Sequence, residues 1–188
     1  MKPRTFTGYI FLACLALLPV LLLGATQPAI VQSELLDQAQ IVENYGFWFE
    51  DDVIRWQEFI PELDNVTSIE VFIYKLGNPG NMIVEIRTTD GTTLAQKTIA
   101  EAEAPASGWA RAEFSPPVSV SPGTKYRIYI YSDTDSPSTA NRYVWRGDTA
   151  STYCSSCATS VSGGWPNYDF AFKTYGTLHI IYLPFVIK

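Results

Sequence analysis

Apolar and polar residues alternate with a period of two along several parts of the chain. This pattern predicts β-strands that bury one face. The alternation is clearest at residues 69–74, 82–87, 126–131 and 170–173. Helical periodicity is confined to residues 30–40, which form the one helix candidate. We therefore expect strands to dominate the fold.

Turn signals separate these stretches at short intervals. Residues 77–81 (GNPGN) link two strands, and residues 90–91 (DG) are a tight hairpin signal. Residues 115–117 (SPP) and 121–123 (SPG) enclose the short segment 118–120. Proline is tolerated at the edge of a sheet. Short strands with frequent turns predict an all-β, antiparallel β-sandwich, with one domain over residues 35–176.

The beginning of the chain has the pattern of a targeting segment. Lys2 and Arg4 are basic, residues 9–23 form an apolar run, and small residues follow at 24–26. We expect residues 1–29 to be a signal peptide or a retained signal anchor, followed by a short linker up to the domain (30–34). The protein is then exported, to the extracellular space or the cell surface. Membrane contact is expected only through this segment, if it is uncleaved.

The charge balance narrows the classes of partner. The chain carries 19 acidic and 13 basic residues, a net charge of −6, and has no basic run. Nucleic acid and anionic membrane surfaces are therefore not expected partners. The aromatic fraction of 14% is high and suits strands.

Cys154 and Cys157 are the cysteines that remain when the targeting segment, which holds Cys14, is set aside. A structural zinc site needs about four ligands, and the chain has no second cysteine pair of this kind. A thioredoxin-like redox motif needs a helix that starts at the first cysteine, whereas Ser, Thr and Gly surround this pair. An even count in an oxidising compartment predicts a local disulfide that holds a loop in shape.

Two stretches of the chain, residues 56–87 and 168–176 (YDFAFKTYG), resemble a recurring exported bacterial β-sandwich module. That module is similar to galactose-binding-like jelly rolls and to non-catalytic carbohydrate-binding modules. The resemblance covers most of residues 35–176 and implies a jelly-roll sandwich that binds carbohydrate or a cell-surface polymer. The two cysteines are not part of the shared pattern.

Aromatic and polar side chains occur together around the cysteine pair. Proteins bind sugars by placing exposed rings against the apolar sugar faces, with nearby Asn, Asp and Arg on the hydroxyls. The predicted ligand-binding residues are Trp145, Arg146, Asp148, Tyr153, Trp165 and Asn167. For the three rings in this set, burial in the core is an equal alternative. Tyr143 and Phe170 are expected in the core, since aromatic side chains are largely buried on average.

Three aspartates are candidate ligands of a structural Ca²⁺, the one cofactor considered. Asp133 and Asp135 have the spacing of alternating oxygen ligands, but the full loop pattern is missing and a solvated turn is the alternative. The resemblance implies Asp169 as a further candidate, because such modules often hold Ca²⁺ against their last strand. A glycosylation sequon begins at Asn65, and residues 146–148 form a short RGD tripeptide.

Residues 177–188 (TLHIIYLPFVIK) form an apolar tail that is too short to span a bilayer. The tail resembles the YLP-type tails of exported bacterial proteins. A sorting or docking signal and a last edge strand both fit the pattern.

The candidates for catalysis are few. His179, the single histidine, lies in the apolar tail, and the carboxylates at residues 50–52 are consecutive, so on a strand they alternate between faces. We therefore expect a non-catalytic binding module with carbohydrate as the favoured ligand class. The alternatives are a structural or anchoring surface protein and a polysaccharide-active hydrolase or lyase.

Overall fold

The computed structural model describes residues 33–50, 52–134, 138–150 and 153–178. Within these ranges the chain forms strands and no helix, so none of the described segments is a helix that could cross a membrane. The strands, in chain order, are β1 (Glu34–Gln40), β2 (Tyr45–Phe49), β3 (Arg55–Phe59), β4 (Asn65–Leu76), β5 (Met82–Thr88), β6 (Thr93–Ile99), β7 (Ser107–Ser119), β8 (Tyr126–Ser132), β9 (Arg142–Asp148), β10 (Asp169–Phe170) and β11 (Phe172–Thr177).

The described strands form two antiparallel sheets. The larger sheet has the order β1-β11-β4-β9-β10, with β2 added beside β9 and β7 beside β4. The smaller sheet has the order β3-β8-β5-β6. Alternating apolar residues from both sheets form one core cluster, so the sheets pack face to face. The predicted all-β antiparallel sandwich is confirmed.

Aromatic side chains fill much of the core. Tyr143, Trp145 and Phe170 are fully buried, which confirms the prediction for Tyr143 and Phe170. The rings of Trp145 and Phe170 stack with centroids 4.3 Å apart. Trp145 Nε1 donates a hydrogen bond of 2.8 Å to the carbonyl of Ala171, so its polar atom is satisfied. Burial of each such side chain contributes about 1.5–3 kcal/mol to stability.

The strands β10 and β11 enter the larger sheet where β4 and β9 diverge. The N–H of Phe72 on β4 donates to the carbonyl of Ala171 at 3.2 Å, and the N–H of Ala171 donates to the carbonyl of Arg146 on β9 at 2.8 Å. The segment thus bonds to both neighbours at one residue. It covers Trp145 and places the loop before β10 at the side of the sandwich.

The helix candidate over residues 30–40 is wrong where the structure describes it. Residues 34–40 form β1, which pairs with β11 from Glu34 opposite Thr177 to Gln40 opposite Phe172. A segment this short is a marginal helix in water, whereas strand pairing satisfies its backbone groups along an existing sheet.

Among the turn signals, the hairpin at residues 90–91 is confirmed, since it joins β5 to β6 and the Gly91 N–H donates to the Thr88 carbonyl at 3.0 Å. The prolines at 116 and 117 do not end a strand. β7 continues through them and forms a bulge between Glu113, which pairs with Ser68 of β4, and Val118, which pairs with Val66. Residues 114–117 have no partner on β4 in this ladder, so these prolines remove no ladder bond.

The predicted targeting segment and the tail from His179 onward lie outside the described residues.

Candidate functional site

The loop between β9 and β10 carries the cysteine pair, and residues 153–168 of it are called the disulfide loop here. Cys154 and Cys157 form the predicted disulfide, with Cα atoms 5.2 Å apart. The N–H of Cys157 also donates to the carbonyl of Cys154 at 3.0 Å. The disulfide therefore closes a single turn rather than joining distant parts of the fold.

Backbone hydrogen bonds dock the disulfide loop on the outer edge of β3. The N–H of Glu58 donates to the carbonyl of Ala158 at 2.9 Å, and the N–H of Ser160 donates to the carbonyl of Trp56 at 3.0 Å. The Glu58 carboxylate accepts from the N–H of Ala158 at 3.0 Å. The loop thus extends the smaller sheet by a short segment, which fixes its path.

The far part of the disulfide loop presents an exposed ring. Trp165 stacks on Tyr45 of β2, with centroids 5.0 Å apart and an interplanar angle of 26°. The two side chains are 39% and 42% exposed. The ring of Phe47 meets Trp165 edge-on at 5.6 Å. We call Tyr45, Phe47 and Trp165 the aromatic surface.

The aromatic surface rests on the core and on a tight turn. Tyr168 is buried below it and packs edge-on against Phe47 at 4.9 Å. Burial raises the pKa of the Tyr168 hydroxyl, so this group stays neutral. The N–H of Trp165 donates to the carbonyl of Val161 at 2.9 Å, which fixes the backbone below the exposed ring.

Two predicted ligand-binding residues, Arg146 and Asp148, position the turn before β2. The Arg146 guanidinium donates to the Glu43 carbonyl at 3.0 Å from Nε and 2.6 Å from Nη2. The Asp148 carboxylate accepts from the Asn44 amide at 2.7 Å. The contacted residues, Glu43 and Asn44, directly precede Tyr45 in the chain. Arg146 and Asp148 therefore hold the start of the strand that carries Tyr45.

The three rings predicted to bind a ligand differ in their exposure to solvent. Trp165 and Asn167 are exposed on the disulfide loop. The prediction that Trp145 presents its ring to a ligand is wrong, because the inserted β10–β11 segment buries it completely. Tyr153 is half-buried, and its hydroxyl donates to Gln38 Oε1 at 3.2 Å. Burial raises its pKa to about 12.

A groove of about 680 Å³ lies beside the disulfide. Its lining includes Gln38, Pro61, Glu62, Tyr153 and Cys154. Tyr153 thus borders this groove, and the stacked rings of Tyr45 and Trp165 do not line it. The disulfide loop carries two different surfaces.

Tyr45 and Phe47 were not among the residues that the sequence patterns predicted for the site. They lie more than a hundred positions before Trp165, and their contact depends on β2 pairing with β9. A signal was present, because residues 45–49 read YGFWF and alternate between the two sheet faces.

The described aspartates act as hydrogen-bond acceptors. Asp133 accepts from both the N–H and the side-chain amide of Asn81, at 2.7 and 2.9 Å. Asp169 is buried and accepts from Gln57 Nε2 at 2.9 Å. Asp135 lies outside the described residues. In the described ranges no three His, Cys, Asp or Glu side chains form a group that could hold a metal, so the Ca²⁺ site gains no support.

Two short motifs lie within strands of the fold. Asn65 of the sequon is buried, and its amide donates to the Thr177 carbonyl at 2.8 Å. The tripeptide at residues 146–148 lies within β9 and not in an exposed loop. At its centre, a Cβ added to Gly147 would lie 2.2 Å from the Asp169 carbonyl oxygen, so the close strand approach requires glycine.

Comparison with known proteins gives a family match. A model described as "Domain of unknown function (DUF4082)" matches residues 60–178, more than half of the chain. The match includes the disulfide loop, and it leaves out β1 to β3 and therefore Tyr45. No curated protein matches the chain.

Proposed function

The chain belongs to the DUF4082 family, and we propose that it is an exported, non-catalytic binding module that recognises carbohydrate at the aromatic surface. The observation that carries the proposal is the exposed stack of Tyr45 and Trp165. Exposed rings of this kind can cover the apolar face of a sugar. Within this proposal the sandwich is of the jelly-roll, galactose-binding-like type.

Polar groups near the stack add to its suitability for sugar hydroxyls. Asn167 is exposed two positions after Trp165. Asn44 lies next to Tyr45, and its amide is held by Asp148 at 2.7 Å. A fixed loop and a fixed strand start reduce the conformational entropy that is lost when a ligand binds.

The state of the buried carboxylates supports a binding role over hydrolysis. Glu58 and Glu85 are the most buried glutamates of the described chain. Glu58 accepts two hydrogen bonds from Arg127, and Glu85 pairs with Arg87. Paired carboxylates that are held in this way are poor candidates for the free acid and base of a glycosidase.

The test is a glycan array probed with the full-length protein and with Tyr45→Ala and Trp165→Ala variants. We expect specific binding in the wild type and a loss of about tenfold or more in affinity in each variant. Trp109→Ala is the matched control. Its ring packs against Phe72 at 5.3 Å, away from the aromatic surface. This variant should bind like the wild type.

Binding that survives both substitutions, or no binding by a folded protein, would reject carbohydrate recognition at this surface. A fall in polymer length during incubation would reject the non-catalytic assignment. Loss of surface retention on deletion of residues 178–188 would instead favour an anchoring protein.

A further inference from the structure

The outer face of the smaller sheet carries a second group of aromatic and charged side chains. On β8, every second residue from Tyr126 packs in the core, so Arg127 and Tyr129 point to the opposite face. Tyr129 pairs with Trp56 on β3, and Arg127 pairs with Arg87 on β5. Lys125 precedes β8 and reaches the same face through Glu58. We call Trp56, Arg87, Lys125, Arg127 and Tyr129 the basic face.

The rings of the basic face form a platform, and a guanidinium group lies over each ring. Trp56 and Tyr129 have centroids 6.3 Å apart and an interplanar angle of 30°. The guanidinium of Arg127 lies 4.3 Å from the Trp56 centroid, and that of Arg87 lies 4.4 Å from the Tyr129 centroid. These cation–π contacts cover one face of each ring with a guanidinium group.

The carboxylates on this face are more deeply buried than the cations. Glu58 and Glu85 are only 5% and 3% exposed. The side chains of the cations in front of them are more exposed, at 24% for Arg87, 34% for Lys125 and 23% for Arg127. The carboxylates are therefore covered by their own partners, whereas the cations reach solvent.

The cations also outnumber the carboxylates on this face. Arg127 and Lys125 share the single carboxylate of Glu58. Arg127 uses Nε and Nη2 for that contact, out of the five N–H donors of a guanidinium. Since the whole chain carries a net charge of −6, a locally positive face is a specific feature rather than a consequence of composition.

We propose that the basic face binds an anionic polysaccharide of the uronic acid class. The sugar rings would contact Trp56 and Tyr129 where the guanidinium groups leave these rings uncovered, and the carboxylates would meet the guanidinium groups and Lys125. Charge complementarity selects this ligand over a neutral glycan. The site is separate from the aromatic surface and does not depend on the ligand proposed there.

The test is calorimetric titration of the full-length protein with polygalacturonate, with neutral galactan and polyglutamate as comparison polymers. We expect binding to polygalacturonate that weakens at least about tenfold between about 0.1 and about 1 M salt, because the Debye length falls from about 10 to about 3 Å. Neutral galactan lacks the charges and polyglutamate lacks the sugar rings, so both should bind at least about tenfold more weakly.

Two lysine variants make a matched pair. Lys125→Gln should weaken binding to polygalacturonate about fivefold. Lys97→Gln removes the same charge from β6, where Lys97 pairs with the core residue Val84 and so starts from the opposite side of the sheet. It should change the affinity less than about twofold. Equal effects of the two variants would mean that only net charge matters, and would overturn the proposal.

Ring variants separate the two sites. Trp56→Ala should lose about tenfold in affinity for polygalacturonate, whereas Trp165→Ala should keep the wild-type affinity. Unaltered binding in a folded Trp56→Ala variant would reject the ring platform. If Trp56→Ala does not fold, the lysine pair and the salt series still decide. Equal binding of galactan or polyglutamate by the Trp165→Ala variant, which lacks the stack of the aromatic surface, would reject an anionic polysaccharide as the ligand of the basic face.

Discussion

One buried side chain, that of Asn65, joins the start of β4 to the end of β11. Its Oδ1 accepts from the N–H of Thr177 at 2.9 Å and from the hydroxyl of the same residue at 3.1 Å. Its amide donates to the Thr177 carbonyl at 2.8 Å. A single asparagine at the start of β4 thus completes the backbone bonds at the end of β11.

Replacement of Asn65 by Ala should lower the free energy of unfolding by about 2–3 kcal/mol, because it leaves buried backbone groups of Thr177 unpaired. Chemical denaturation measures this change. Asn167→Ala is the control at an exposed position and should stay within about 0.5 kcal/mol of the wild type. Equal effects of the two variants would show that the buried contacts are not needed.

Tyr153 gives a prediction on pH. Burial raises the pKa of its hydroxyl from 10.0 to about 12 in the folded protein. The folded state then resists ionisation that the unfolded chain undergoes near 10. Its contribution to stability is complete below about pH 10 and is lost as the pH rises toward 12.

Ultraviolet titration of tyrosinate, compared between the wild type and Tyr153→Phe, should show the missing tyrosine titrating near pH 12. A difference that titrates near pH 10 instead would contradict burial of this hydroxyl. Unfolding measured at about pH 9 and about pH 11 should show a smaller loss of stability on raising the pH in Tyr153→Phe than in the wild type.

At the scale of elements, the disulfide loop depends on two kinds of contact. The cross-link closes the turn at residues 154–157, and hydrogen bonds to β3 fix residues 158–160. So short a closed loop contributes at most about 2 kcal/mol to global stability. The turn and the sheet contact should therefore respond differently when the cross-link is removed.

The double variant Cys154→Ser, Cys157→Ser removes the cross-link. Hydrogen–deuterium exchange should then accelerate at the N–H of residue 157 and change little at the N–H groups of Glu58 and Ser160. The strand β5 supplies an internal control. Exchange that accelerates equally along β3 would mean that the disulfide supports the sheet itself.

The elements also show which parts of the fold local sequence can specify. The period-2 pattern predicted the strands around Ile69, Val84 and Ile128, because alternation directly reflects one buried face. It could not predict β1, whose seven residues become a strand through pairing with β11. Strand pairing between distant segments is a property of the assembled sheet and leaves little trace in a short window.

At the scale of the whole molecule, contacts between distant segments also decide which predicted site residues reach the surface. The disulfide follows from two cysteines three positions apart, so sequence was sufficient. Whether Trp145 or Trp165 faces solvent depends on where β10 and β11 insert, which no local pattern encodes. The partner of Trp165, Tyr45, comes from the other end of the chain. The disulfide was therefore predictable from the sequence, and the aromatic surface was not.

The pairing of β1 with β11 has a mechanical consequence. Glu34 lies opposite Thr177, so the two ends of the described sandwich leave the sheet side by side. A force that pulls these ends apart would load the hydrogen bonds of the β1–β11 ladder one pair after another, which is the unzipping geometry. A force that pulls both ends together against a ligand on the opposite side would instead be carried by the whole sheet.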